Sequence, residues 1–275
     1  MKPSKQLLAK MAPYQWVVNS KPRGLSGPQL GAGAGQSTEF MDHRVYVAGD
    51  DVRRIDWNAT ARTDQLLIKR YQEEIRPSVV LMVDDSKSMA VYEDKLQRSK
   101  EGVAWIHRSL SDLEASSKAL RLHQGILVTE QSLRGDWSPE STWTLAEGIA
   151  KRLNEISQGA HVILLTDLLS PHEPSRVATL LRQRAYRCTV IQILGREDWE
   201  FELGTFQVQD SETGQVMQLT IDHSDIDQYH ARLEQIRSDW RDALAGWGDL
   251  ILMQSPMSWP DVGAVLLKHG LVEIE

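Results

Sequence analysis

The 275-residue sequence contains a single cysteine, Cys188. One thiol excludes a disulfide framework and any cysteine-cluster zinc site. Long hydrophobic runs are also missing, for no stretch approaches the roughly 18 consecutive apolar residues of a spanning helix. The opening segment, MKPSKQLLAKMAPYQWVV, has charge but neither a long apolar stretch nor a small-residue cleavage site, so no signal peptide is expected. Nor is there an excess of positive charge. Lys plus Arg total 31 against 38 Asp plus Glu, a net charge of −7. Non-specific nucleic-acid binding depends on basic side chains neutralising phosphates, so no nucleic-acid partner is expected. Together these absences describe a cytoplasmic protein without a transmembrane segment.

What is present is ordinary for a globular chain: 41% hydrophobic and 25% charged residues. The length suits one large domain, or one domain with a smaller appendage, and is ample to bury a core. The charge is divided unevenly. Residues 1–76 hold 12 basic and 8 acidic side chains, net +4, and residues 77–275 hold 19 and 30, net −11. A mildly basic N-terminal region is therefore expected on an acidic body, or the split is chance segregation of surface charge.

Three segments follow from the patterning. Residues 1–37 read as a short amphipathic helix over 1–18, with Leu7, Leu8, Met11 and Trp16 on one side, and then a Gly-rich loop. Residues 38–77 read as an extension with strands at HRVYVAGDD and LLIKRYQEE, packing on the main domain. From 78 to 275 the pattern is regular. SVVLMV, HVILLT and CTVIQIL are short valine- and isoleucine-rich runs, as in strands buried on both faces. Helical spacing lies between them, at about 94–113, 144–157 and 170–186. Strand, helix, strand, helix, strand implies a doubly wound, mostly parallel α/β sheet. A hairpin around Ser211–Gly214, a long helix from a Ser224 cap to Ala245, a strand at DLILMQ and a helix stopped by Gly270 complete the chain.

Ligands of such sheets bind beyond the carboxyl ends of the strands, and two strands here end in acid. VDDSKSM places Asp84, Ser86 and Ser88 at alternate positions of a tight loop, and LLTD ends in Asp167. Carboxylate and hydroxyl oxygens converging on one point suit a hard cation, Mg²⁺ most naturally, or Mn²⁺ or Ca²⁺. Asp and Ser after a strand also commonly cap the next helix, which needs no metal.

Asp84-x-Ser86-x-Ser88 after a valine-rich strand, with Asp167 after a later one, resembles the metal-ion-dependent adhesion site of von Willebrand factor A domains. That resemblance implies a further ligand from a threonine, and Thr142 or Thr144 stands in the corresponding stretch. Leu168 occupies the place where that family usually has glycine. The segment before the strand resembles the bacterial "domain of unknown function 58" family. The matching residues are Gly49, Asp50, Asp51, Arg53, Ile55, Asp56 and Trp57, then Ala61 and Arg62, then Glu73 and Glu74. This resemblance implies a von Willebrand-like domain and a MoxR-type AAA+ ATPase, or its client, as protein partner. In this segment Arg53, Arg54 and Arg62 lie among Asp50, Asp51 and Asp56. They suit either an ion-pair network, with Trp57 as a buried anchor, or a partner-facing surface.

The resulting expectation is a noncatalytic, metal-dependent protein-binding module. A receiver-like or phosphatase-like Mg²⁺-dependent phosphotransfer domain is the alternative, since an acidic pair after a first strand also serves that chemistry. No nucleophile–base pair is visible. The eight histidines are scattered, and His161 and Cys188 each begin a buried strand as packing residues.

Overall fold

The computed structural model describes residues 14–18, 38–63, 65–73, 78–110, 116–123, 143–169, 173–210 and 214–274. In chain order the strands are β1 (Tyr14–Trp16), β2 (Thr38–Val45), β3 (Leu67–Glu73), β4 (Ser78–Val83), β5 (Ser116–Arg121), β6 (Ala160–Thr166), β7 (Ala185–Leu194), β8 (Gly204–Gln209), β9 (Val216–Ile221), β10 (Gly248–Gln254) and β11 (Val272–Ile274). The α-helices are α1 (Trp57–Thr63), α2 (Glu93–Leu110), α3 (Leu145–Arg152), α4 (Pro174–Arg182), α5 (His223–Leu244) and α6 (Trp259–Lys268). Two compact units contain them. One combines Met1–Asn19 with Pro77–Glu275, and the other is Ser20–Arg76.

The larger unit is built on a five-stranded sheet of order β10-β7-β6-β4-β5, parallel throughout. The continuous apolar runs of β4 and β6 have a direct cause: both faces of the sheet are covered. Val79, Leu81 and Val83 point into a core shared with Val103, Trp105 and Ile106 of α2 and Trp259, Val262 and Leu266 of α6. Val80 and Met82 point the other way, toward Ile149 of α3, Val177 and Leu181 of α4, and Trp240 and Leu244 of α5. The strand period of two thus feeds two cores, and helices lie on both faces. The doubly wound expectation holds at this level.

Three details differ from the sequence reading. Tyr14–Trp16 is a strand, not the end of a helix. It pairs antiparallel with β11, and the buried Trp16 donates from Nε1 to Ser109 Oγ at 2.8 Å. The rest of the expected N-terminal helix and the Gly-rich loop lie outside the described residues. The cap of α5 is Asp222, not Ser224. Its side chain accepts from Asp225 N while the Asp225 carboxylate accepts from Asp222 N, a reciprocal capping box. Only Ser116–Arg121 of the segment after α2 is a described strand, and residues 124–142 lie outside the described residues.

The smaller unit pairs β2 with β3 antiparallel and buries Ile68. Asp56 starts α1, its Oδ1 accepting from Asn58 N and Ala59 N. Hydrogen bonding to His43, then the Ala59 N–H, holds its carboxyl down at about 2. The expected arginine network is not the one that forms. Asp50 takes a bidentate pair with Arg44, at 2.7 and 2.6 Å, and Asp56 pairs with His43 and Lys69. Asp51 accepts from the Arg53 backbone N–H. The side chains of Arg53, Arg54 and Arg62 are exposed. Trp57 is not a buried anchor either, since it is 66% exposed. The reason is geometric: Trp57 opens a seven-residue helix that buries none of its own residues.

Candidate functional site

The chain order of the sheet reverses direction between β4 and β6. Strands on either side of such a reversal send their connections to opposite faces, which leaves a crevice at their carboxyl ends. Asp84 follows β4 at that point and Asp167 follows β6. The two strand ends are stitched together, because Asp84 N donates to Leu165 O at 2.8 Å and Thr166 Oγ1 donates to Asp84 Oδ2 at 2.7 Å. Asp84 Oδ1 accepts from Ser86 N at 2.9 Å. Burial pushes the Asp84 carboxyl up, and the nearby Asp167 charge adds to this. The Ser86 N–H, the charge of His123 and the Thr166 hydroxyl work in the opposite direction.

Ser86 is buried and Ser88 half-buried, with their hydroxyl oxygens 3.0 Å apart. Asp167 is fully buried and already has partners. Its Oδ1 accepts from Leu169 N at 2.9 Å and its Oδ2 takes the Lys95 ammonium at 3.0 Å. Leu168, between them, has φ +61°, the left-handed region that favours glycine. Lys95 also reaches Asp198 Oδ1 at 3.1 Å. Two carboxylates hold its pKa up although burial opposes the charge.

Asp85 turns away from this pair and fixes His123. Its Oδ1 accepts both from His123 N and from His123 Nδ1, each at 2.7 Å. The other ring nitrogen, Nε2, is 3.1 Å from the carbonyl oxygen of Trp143. Both nitrogens therefore face oxygen atoms, an arrangement that favours the doubly protonated imidazolium. Burial alone lowers the pKa of His123, but the bond to Asp85 and the charges of Asp84 and Asp85 together raise it.

The structure thus brings Asp84, Ser86, Ser88 and Asp167 to one strand-end cluster and adds Lys95, Asp85, His123 and Asp198, none of which was expected there. Thr144 is the cap of α3. Its hydroxyl accepts from Glu147 N at 3.3 Å, and its own N–H donates to Glu147 Oε2. Its neighbour Trp143 holds His123, so the loop before α3 is tied to the cluster. Thr142 lies outside the described residues. Among the described residues no group of three or more His, Cys, Asp or Glu is arranged to hold a metal. The donor set here is instead one carboxylate with two hydroxyls. Adjacent ligands of an octahedral Mg²⁺ at ~2.0–2.1 Å stand ~2.9 Å apart, so the Ser86–Ser88 spacing fits one edge of that shell.

Comparison with known proteins gives family likeness and no activity. The family described as "Protein of unknown function DUF58" matches residues 42–113. That stretch runs from β2 to α2 and includes Asp84, Asp85, Ser86, Ser88 and Lys95, but not His123 or Asp167. Uncharacterized protein Rv1480 of Mycobacterium tuberculosis (strain ATCC 25618 / H37Rv) is 26% identical over 276 residues, covering 92% of this chain and 86% of its own. Uncharacterized protein Mb1516 of Mycobacterium bovis is similar to the same extent.

Proposed function

We propose that the protein is a noncatalytic, von Willebrand factor A-like binding module. In this reading it holds a divalent cation, most naturally Mg²⁺, at the carboxyl ends of β4 and β6. Asp84, Ser86 and Ser88 would be its direct ligands. Asp167, already engaged by Lys95, would act through water, and Thr142 or Thr144 would come from the loop before α3. The cation would supply an open coordination position for a partner's carboxylate.

The observation that carries this reading is the charge of the cluster. Asp84, Asp85, Asp167 and Asp198 are all buried here, and among the described residues the basic side chains bonded to them are Lys95 and His123, so carboxyl groups outnumber cationic partners. A buried net charge is costly unless it is neutralised. A divalent ion would offset it. The resemblance to the domain-of-unknown-function-58 family supports a MoxR-type AAA+ ATPase, or its client, as the partner.

The test is thermal unfolding with Mg²⁺ and with EDTA. At a hundred times its dissociation constant, a ligand stabilises by about 2.7 kcal/mol, or a Tm rise of roughly 5–10 °C at this size. The rise should vanish in Asp84→Ala and shrink in Ser88→Ala, which removes one half-buried hydroxyl. No rise in the wild type, or an equal rise in both variants, rejects the reading.

A second reading has its own observation. Exposed Trp57 lies among exposed Arg53, Arg54 and Arg62, and aromatic and arginine side chains are the residues enriched at interfaces. Metal-free docking through this face predicts binding of a purified MoxR-type ATPase that survives EDTA. Charge reversal at Arg53 and Arg54 would then abolish it.

A further inference from the structure

We propose that the β8–β9 hairpin is a docking arm for a basic, apolar segment of another protein. The cross-strand register places Phe206 opposite Leu219 and Val208 opposite Met217. Directly opposed residues share a face, as do residues two apart on one strand. These four side chains therefore form one apolar face. Thr205, Thr220, Gln207 and Gln218 form the other, with the two threonine hydroxyls 3.0 Å apart. The apolar face has less cover than the main sheet: Phe206 and Val208 are half-buried. Met217 is 51% and Leu219 45% exposed. A two-stranded hairpin is marginal by itself, and a hydrophobic face left in water is unfavourable.

The arm is nonetheless held firmly at its base. Phe201 packs edge-on against Tyr229 of α5, with ring centroids 4.8 Å apart. Tyr229 donates its hydroxyl to Asp198 O at 2.7 Å, and His230 Nε2 lies 2.9 Å from Trp199 O. The segment leading into the arm is thus anchored to α5 at Asp198, Trp199 and Phe201, and the carboxylate of Asp198 also holds Lys95.

Charge identifies the occupant. Between Arg196 and Arg232 the chain has nine acidic side chains and no lysine or arginine. Glu202, Asp210, Asp222 and Asp225 are exposed and flank the hairpin strands in sequence, whereas Glu200 is already paired with Arg196. A second copy docking by the same face would bring two such acidic surfaces together, which like-charge repulsion opposes. A segment with lysine or arginine beside its apolar residues meets both requirements: it covers the four side chains and neutralises the rim.

A displayed library of random 12-residue peptides, selected on the full-length protein, tests this. The expected result is enrichment of peptides with net positive charge and at least two apolar residues. A representative peptide should bind about tenfold or more weakly to Met217→Lys/Leu219→Lys. It should bind unchanged to Thr205→Lys/Gln207→Lys on the polar face, the control for added charge. Both variants alter exposed side chains, and circular dichroism with a thermal melt confirms that each folds. Enriched peptides of neutral or acidic composition, or equal weakening in the two variants, overturn the proposal. So does a wild-type dimer at micromolar concentration that Met217→Lys/Leu219→Lys dissociates, because the occupant is then a second copy. The measurement needs no metal, so its failure is independent of the cation site.

Discussion

Lys95 holds its ammonium 3.0 Å from Asp167 Oδ2 and 3.1 Å from Asp198 Oδ1, with all three side chains buried. Met is the nearest apolar replacement in shape. Lys95→Met would leave two carboxylates facing each other without a cation. Removing one partner from a buried ion group typically costs about 3–5 kcal/mol. The cost should be larger at pH 8 than at pH 5, because burial pushes the Asp198 carboxyl up and a proton there relieves the repulsion. Urea unfolding at the two pH values measures it. Equal midpoints for wild type and variant at pH 8 would show that the triad contributes nothing.

Gly102 sits in the middle of α2, where alanine would ordinarily add about 1 kcal/mol of helix propensity. Here the sign should reverse. A Cβ on Gly102 would lie 2.0 Å from Cζ2 of Trp259, a buried ring that stacks on Trp105 and donates to Arg98 O. Overpacking of this kind costs about 1–3 kcal/mol or more. Gly102→Ala is therefore expected to lower the unfolding midpoint, and Gly102→Ala with Trp259→Leu should recover part of the loss. A more stable single variant would contradict the close approach of α2 and α6.

Leu168 stands at φ +61° and is buried. Glycine would remove about 1 kcal/mol of left-handed strain, but it would also remove a leucine side chain from the core that holds Ile149 and Leu181. Deleting a buried leucine side chain costs about 2–5 kcal/mol, so the burial term wins. Leu168→Gly should be destabilised by about 1–4 kcal/mol in chemical unfolding. A neutral or stabilised variant would mean that strain dominates at this turn.

The same residues show how far the sequence could be read. The acid at each strand end was visible because an apolar run stops at it, and the turn at Leu168 was marked because glycine is usual there in the resembling family. Lys95 was not picked out, although Lys95, Ser99, Val103 and Ile106 lie along one buried side of α2. A lysine on that stripe was the available signal, since a buried cation requires buried carboxylates. Its partners lie 72 and 103 residues away, a distance over which local patterning carries no information. His123 follows a short strand, and nothing near it in the sequence marks its two acceptors. Trp57 was left between a buried anchor and a partner-facing surface for a related reason: tryptophan suits a core and an interface equally, and only its exposure separates them.

Among the described residues two histidines are buried, His161 and His123, and they should respond to acid in opposite directions. His161 is buried between Trp16 and Tyr186, with Nε2 2.9 Å from Thr189 Oγ1, and Nδ1 has no partner among the described residues. Burial, assisted by the Arg187 charge, pushes its pKa down to about 3. The unfolded chain takes up this proton near pH 6.5 and the folded chain only far below. Between those values the unfolded state binds more protons, so stability falls with acid by at most about 1.4 kcal/mol per pH unit. His123 has the reverse sign. Its raised pKa gives a contribution that is complete below about pH 6.5 and is lost as the pH rises through the folded-state value. His161→Phe removes the first group alone. Its overall stability also reflects loss of the Thr189 bond, but the slope of stability against pH from 6.5 to 4.5 should become shallower than in the wild type. His123→Phe should leave that acid slope in place and flatten the alkaline side. Parallel acid slopes for wild type and His161→Phe would show that this imidazole is protonated as readily in the fold as in water.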